Sequence, residues 1–126
     1  TPYEVGPEYQ LLDDYGWEKI NNATLDEWQK AGADYAMYSP NKNNKITKHA
    51  GEWNTTRIIF NPKKVEHWLN GKMILSFVPW SEDWYKRKSE SKWKNAEKYG
   101  AFKKGYIGLQ DHDSPLWFRN IKIRKL

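Results

Sequence analysis

The chain contains no cysteine, which excludes a disulfide framework and any metal site built on thiolates. It has no run of eighteen apolar residues, so no segment reads as a membrane-spanning helix. Its first residues, Thr1-Pro2-Tyr3, lack the basic start and apolar centre of a secretory leader. Also missing are a glycine-rich phosphate loop, a His-Glu-x-x-His pair and a serine nucleophile elbow. Nucleotide chemistry and serine hydrolysis therefore fall well down the list of activities.

What is present points elsewhere. The mean hydropathy of -1.01 and 29% charged residues lean towards disorder. An aromatic content of 16%, with eight Trp and eight Tyr, opposes that reading, because disordered chains are poor in such groups. Most of these rings are expected to fill a core, and the excess of Trp also suits stacking on sugar rings. Of the formal net charge of +5, the surplus sits in one stretch. Lys86–Lys104 holds eight Lys and Arg against Glu90 and Glu97. One basic segment without ring platforms spaced along it reads as a solvated helical face, and no nucleic-acid partner is expected.

Short alternating runs separated by turn residues dominate, the pattern of an all-β antiparallel sandwich. Strands are predicted at Tyr9–Leu12, Ala33–Tyr38, Asn54–Phe60, Lys64–Leu69, Lys72–Val78, Gly105–Gln110 and Leu116–Arg124. Two helical segments interrupt them. Thr24 and Glu27 are spaced as a capping box ahead of Gly32. Ser81, followed by Glu82 and Asp83, starts a second helix that should fade before Gly100.

The firmest local feature is a hairpin at Asn70-Gly71, a pair that takes the two positive φ values of a type I′ turn. A two-residue loop sets Leu69 opposite Lys72, Trp68 opposite Met73, His67 opposite Ile74 and Glu66 opposite Leu75. Trp68, Met73, Leu75 and Phe77 then share one apolar face, expected to be core, with Trp68 buried. Val65, His67, Leu69 and Ile74 share the other. The same period-two sorting puts Glu8, Gln10, Gln110 and His112 on non-core faces.

Five motifs occur in order: Gly-Pro-Glu-Tyr-Gln at 6–10, Gly-Glu-Trp-Asn at 51–54, Val-Glu-His-Trp-Leu-Asn-Gly at 65–71, Gly-Leu-Gln-Asp-His at 108–112 and Trp-Phe-Arg-Asn-Ile at 117–121. Together they resemble the 3-keto-disaccharide hydrolase family, from about Tyr3 to Leu126. The family's domain carries further strands ahead of the first of these motifs. The resemblance therefore implies that residues 1–126 form a single domain, the C-terminal larger part of a concanavalin-like jelly-roll sandwich with two short helical insertions. It further implies a concave sheet that receives an oligosaccharide or glycoside, a bacterial periplasmic or secreted setting, and in some members a divalent cation.

The chemistry so implied is elimination followed by hydration. A ketone at C3 acidifies the C2 hydrogen and places the C1 glycosidic oxygen for departure. A base, an enolate-stabilising group and an acid are needed, and a flanking pair of glycosidase carboxylates is not. His67, off the expected core face and able to titrate near neutrality, is the first candidate base. Glu8 suits an acid–base role or an oxygen ligand for a cation, and His112 completes the catalytic candidates. Gln10, Gln110, Trp53 and Arg119 are the candidate sugar contacts. Asp111 and Asp113 read as loop caps, and His49 carries no signal. A non-catalytic carbohydrate-binding module on the same sandwich is the alternative, because fold alone does not decide function.

Overall fold

A computed structural model describes residues 1–126. The chain opens with a single helical turn, α1 (Pro2–Val5), followed by α2 (Asp14–Asn21) and a 3-10 turn at Glu27–Gln29. Three strands follow, β1 (Thr56–Asn61), β2 (Lys64–Leu69) and β3 (Lys72–Phe77), and then α3 (Glu82–Glu90). The strands form one antiparallel sheet in the order β1-β2-β3.

Both hairpins are made by side chains that suit their turns. Asn70 (φ 47°) and Gly71 (φ 81°) take the expected left-handed conformations. The Asn61 carboxamide accepts from the Lys63 and Lys64 amides at 2.9 and 3.0 Å, bending the chain at Pro62. Asn70 does more than turn. Its side chain accepts from the Thr55 amide and donates to the Ile46 carbonyl and the Asn54 carboxamide, all within 2.9 Å. The 46–55 loop is thereby tied to the hairpin.

The hairpin register agrees with expectation for two pairs and then slips. Leu69 pairs with Lys72 and Trp68 with Met73, but an irregularity sets His67 against Leu75 and Val65 against Phe77. One residue too many on β3 is a bulge, and beyond it Phe77 comes onto the face of Val65 and His67. The buried face is Val65, His67, Leu69, Ile74 and Phe77, whereas Met73 is exposed and Trp68 half-buried. The assignment of Trp68 and Met73 to the core is thus corrected. Both faces of the hairpin carry apolar side chains, and the buried one is that covered by the 31–38 segment and α3. On the open face Trp68 is steadied by its indole donating to Glu66 at 2.8 Å and by Arg57 over the ring.

The core joins Val65 and Phe77 to Met37, Tyr38, Trp84, Trp93 and Tyr99. Tyr38 stacks on Phe77 at 4.4 Å, and Tyr99 lies between the indoles of Trp93 and Trp84 at 4.3 and 6.2 Å. Trp84 is delivered by α3, which Ser81 caps through the Trp84 amide, as expected. Gly100 is required beneath it: φ is +63°, and a Cβ there would stand 2.6 Å from Cζ2 of Trp84.

Elsewhere the structure departs from expectation. Tyr9–Leu12 and Ala33–Tyr38 are irregular, joined by isolated bridges from Asp34 to Tyr9 and to Tyr38. Ala36 adopts φ 62°, which folds the second segment back on itself. The capping box at Thr24 is displaced to Asp26 and Gln29 around a 3-10 turn, and α2, capped by Asp13, is a helix the period analysis misses. Gly105–Gln110 and Leu116–Arg124 form no strand. Their alternation is real, but no strand lies beside them to receive their backbone groups.

Candidate active site

Residues 8–10 run beside residues 32–35. The Tyr35 amide donates to the Glu8 carbonyl at 3.0 Å, the Gln10 amide to Ala33 at 3.0 Å, and the Gly32 amide to Gln10 at 2.8 Å. The Tyr9 hydroxyl donates to the Trp68 carbonyl at 3.0 Å, next to the slip in the β2–β3 ladder. This stitching fixes Glu8 at the margin of the core, half-buried. Burial raises its pKa, and the positive charges of Lys92 and His112 oppose the rise. Lys92 is itself held in place. Its ammonium stands 4.3 Å from the centre of the Tyr35 ring and 4.4 Å from that of Trp93.

Below Glu8 lies a carboxyl that sequence reading passes over. Asp34 is 1% exposed, and its Oδ2 has no hydrogen-bond partner. Desolvation, with the Glu8 charge adding to it, pushes its pKa up to about 8. The Tyr99 hydroxyl is also buried without a partner, and burial first, then the charges of Asp34 and Glu8, raises its pKa. The signal for Asp34 was present, since it is the one charged residue in Ala31-Gly32-Ala33-Asp34-Tyr35-Ala36-Met37. A carboxyl in such a run is either paired or perturbed.

The seven sequence candidates separate. His112 comes close enough to Glu8 to oppose the rise in the Glu8 pKa. Trp53 and Arg119 also meet, the guanidinium 4.0 Å above the indole, on an exposed surface. His67 does not join them. It is 4% exposed, its Nδ1 lies 2.9 Å from the Gly32 carbonyl, and its ring packs on Tyr9 at 4.6 Å. Burial lowers its pKa to about 4, so it is a neutral core group and its placement off the core face is corrected. Gln10 spends its amide on the Gln29 carbonyl at 3.0 Å. Gln110 lines a shallow exposed depression with Asp111, Asp113 and Phe118. There the Asp113 amide donates to Asp111, the loop cap that was expected.

Comparison with known proteins places these groups in context. Residues 1–124 match the family of 3-keto-alpha-glucoside-1,2-lyase-like domains. The chain belongs to this family. A 3-keto-disaccharide hydrolase of Bacteroides thetaiotaomicron is 31% identical over 136 residues, covering 98% of this chain and 45% of that protein. A crystal structure from Parabacteroides distasonis, of a protein assigned provisionally as a glycosyl hydrolase, is 43% identical. It superposes with a TM-score of 0.69 over 81% of this chain and 46% of its own. The chain thus spans about half the length of these two proteins.

No group of three or more His, Asp or Glu side chains is arranged to hold a metal ion. Glu8 and the proton-retaining Asp34 make an incomplete donor set for a divalent cation. No helix is long and apolar enough to cross a membrane.

Proposed function

We propose that this chain carries the reactive carboxylate of an enzyme that cleaves 3-keto-glycosides by elimination and hydration. The observation that supports it most is Glu8, half-buried, its pKa raised by burial, with Lys92 and His112 near enough to oppose the rise. A carboxylate of raised pKa is a stronger base than an exposed one, and C2 of a 3-keto sugar carries the hydrogen that needs a base. Glu8 takes that proton, and the C–H electron pair becomes the enolate of the C3 ketone. Lys92 and His112 favour the negative charge so formed. The enolate expels the C1 oxygen, leaving a C1=C2 double bond, and the departing oxygen collects the proton held by Glu8. Water then adds at C1 and a proton returns to C2, so the sum is hydrolysis.

Exposed Trp53 with Arg119 above it offers a stacking surface for the sugar. We likewise read the three-stranded sheet as belonging to a jelly-roll sandwich, a reading supported by the likeness to the longer Parabacteroides structure.

The test is incubation with a 3-keto-disaccharide and with its unoxidised parent, following free sugar. Release from the keto form alone is expected, and Glu8→Gln should lower it by roughly 10²–10⁴-fold. Binding of both sugars with release from neither would instead identify a binding module.

A further inference from the structure

Positive charge is answered unevenly along this chain. Carboxylates engage Lys30, Lys42, Lys45 and Lys64, none further than 4.0 Å. Between Lys86 and Lys104 only Arg87 has such a partner, Asp83 at 3.0 Å. The lysines of that stretch have none, and all but the half-buried Lys88 are exposed. Three of them nevertheless sit on one column of rings. Tyr99 stacks on Trp93 at 4.3 Å and lies parallel to Trp84 at 6.2 Å. The Trp80 indole donates to the Gly100 carbonyl at 2.7 Å and the Trp93 indole to the Tyr35 carbonyl at 3.2 Å, so Trp80 and Tyr35 extend the column. Along it Lys103 stands 5.1 Å from the Trp80 ring, Lys88 5.8 Å from Trp84 and Lys92 4.4 Å from Trp93. Lys88 also donates to the Glu97 and Tyr99 carbonyls at 3.2 and 2.9 Å. All these partners are neutral. They fix the ammonium groups and leave the charge uncompensated.

We propose that this basic face, from Lys86 to Lys104, binds an acidic polysaccharide through its uronate or sulfate groups. Cations already ordered in the fold lose little further rotamer freedom when an anion meets them. An anion that answers several of them at once has to be extended and multiply charged. The column also has a direction. At its end the Tyr35 amide donates to the Glu8 carbonyl at 3.0 Å, so a polymer lying along it leads to the segment that carries Glu8. Trp84, Trp93 and Tyr99 are buried, which leaves none of these rings open for a base to stack on and disfavours single-stranded nucleic acid. The choice of a polysaccharide among polyanions rests on the glycoside reading given above.

The experiment measures binding of polygalacturonate, heparin, neutral dextran and duplex DNA by calorimetry at low and high salt. One or both acidic polysaccharides should bind and dextran should not, and the binding should weaken as salt screens the charges. Two variants carry the same loss of charge. Lys86→Gln, Lys94→Gln, Lys98→Gln and Lys104→Gln combined should weaken polysaccharide binding by at least about tenfold. Lys19→Gln, Lys63→Gln, Lys72→Gln and Lys125→Gln combined, all exposed and outside the stretch, should weaken it by less than about threefold. Both should keep the wild-type melting temperature, and the first should turn over a neutral 3-keto-disaccharide at the wild-type rate. Equal weakening by the two variants would mean that net charge alone is felt, and overturns the inference. So does failure of both acidic polysaccharides to bind at low salt, or duplex DNA binding more tightly than either. If no 3-keto sugar is turned over, the elimination reading falls, while the paired variants still decide whether this face takes an acidic polysaccharide.

Discussion

Residues 64–77 and 105–124 carry the same kind of pattern, alternating apolar residues rich in β-formers, and meet opposite fates. The first stretch is a hairpin whose inward side chains are almost wholly buried, Val65 at 2% and Ile74 at 1%. The second is extended and solvated, with Ile107, Leu109, Trp117 and Ile123 all more than half exposed. Intrinsic propensity does not separate them. Asn70-Gly71 gives β2 a partner two residues away, so the ladder closes at small entropic cost. Nothing in 105–124 turns the chain back, and its partner would have to come from far along a sequence. A strand is therefore a property of a pair, and alternation announces only one member of it.

That comparison can be broken first in the core. Phe77→Ala should cost about 3–5 kcal/mol of unfolding free energy. Trp117→Ala, an equally large deletion in the extended segment, should cost under about 0.5 kcal/mol. Urea denaturation of both proteins checks this, and equal losses would mean that 105–124 is packed after all.

A second test uses acid. His67 is neutral in the fold with its pKa lowered from 6.5 to about 4, so the unfolded chain binds its proton more readily. Its contribution is complete above pH 6.5 and declines as pH falls towards 4, by about 3 kcal/mol at about 1.4 kcal/mol per pH unit. His67→Gln should flatten that part of the stability profile. A slope that persists in the variant would assign it to other groups.

Smaller again is the turn. Asn70→Ala loses a favourable left-handed residue and the bonds to Thr55, Ile46 and Asn54, and should cost about 1–2 kcal/mol. Amide exchange should show which parts move together. Lys64–Phe77 should be protected and slow in concert, with 46–55 loosened as well, while 102–126 exchanges at open-chain rates in both proteins.

Much of the hairpin was legible in the sequence because an Asn-Gly pair acts locally. Its facing was not, since Trp68, Met73 and Leu75 are as apolar as Val65, Leu69 and Ile74, and only the covering segment decides between them. The bulge that brings Phe77 onto the buried face leaves no local mark either. Alternation and likeness singled out Glu8 and His112 as candidates. His67 drew attention for its chemistry, yet its neighbours Gly32, Tyr9 and Phe77 come from distant parts of the chain and make it structural. Asp34 was hidden by being read as one more residue of a strand.

The Tyr9–Trp68 hydrogen bond has a consequence for engineering. It makes the hairpin a ruler for Glu8: the segment that carries Glu8 is indexed to Trp68, and Trp68 is counted from the turn. One residue inserted between Leu69 and Asn70 would move the hydroxyl's anchor by about 3.3 Å along the strand. A hairpin redesigned to melt no lower would still displace Glu8. Turn length is thus tied to the placement of Glu8 as well as to folding.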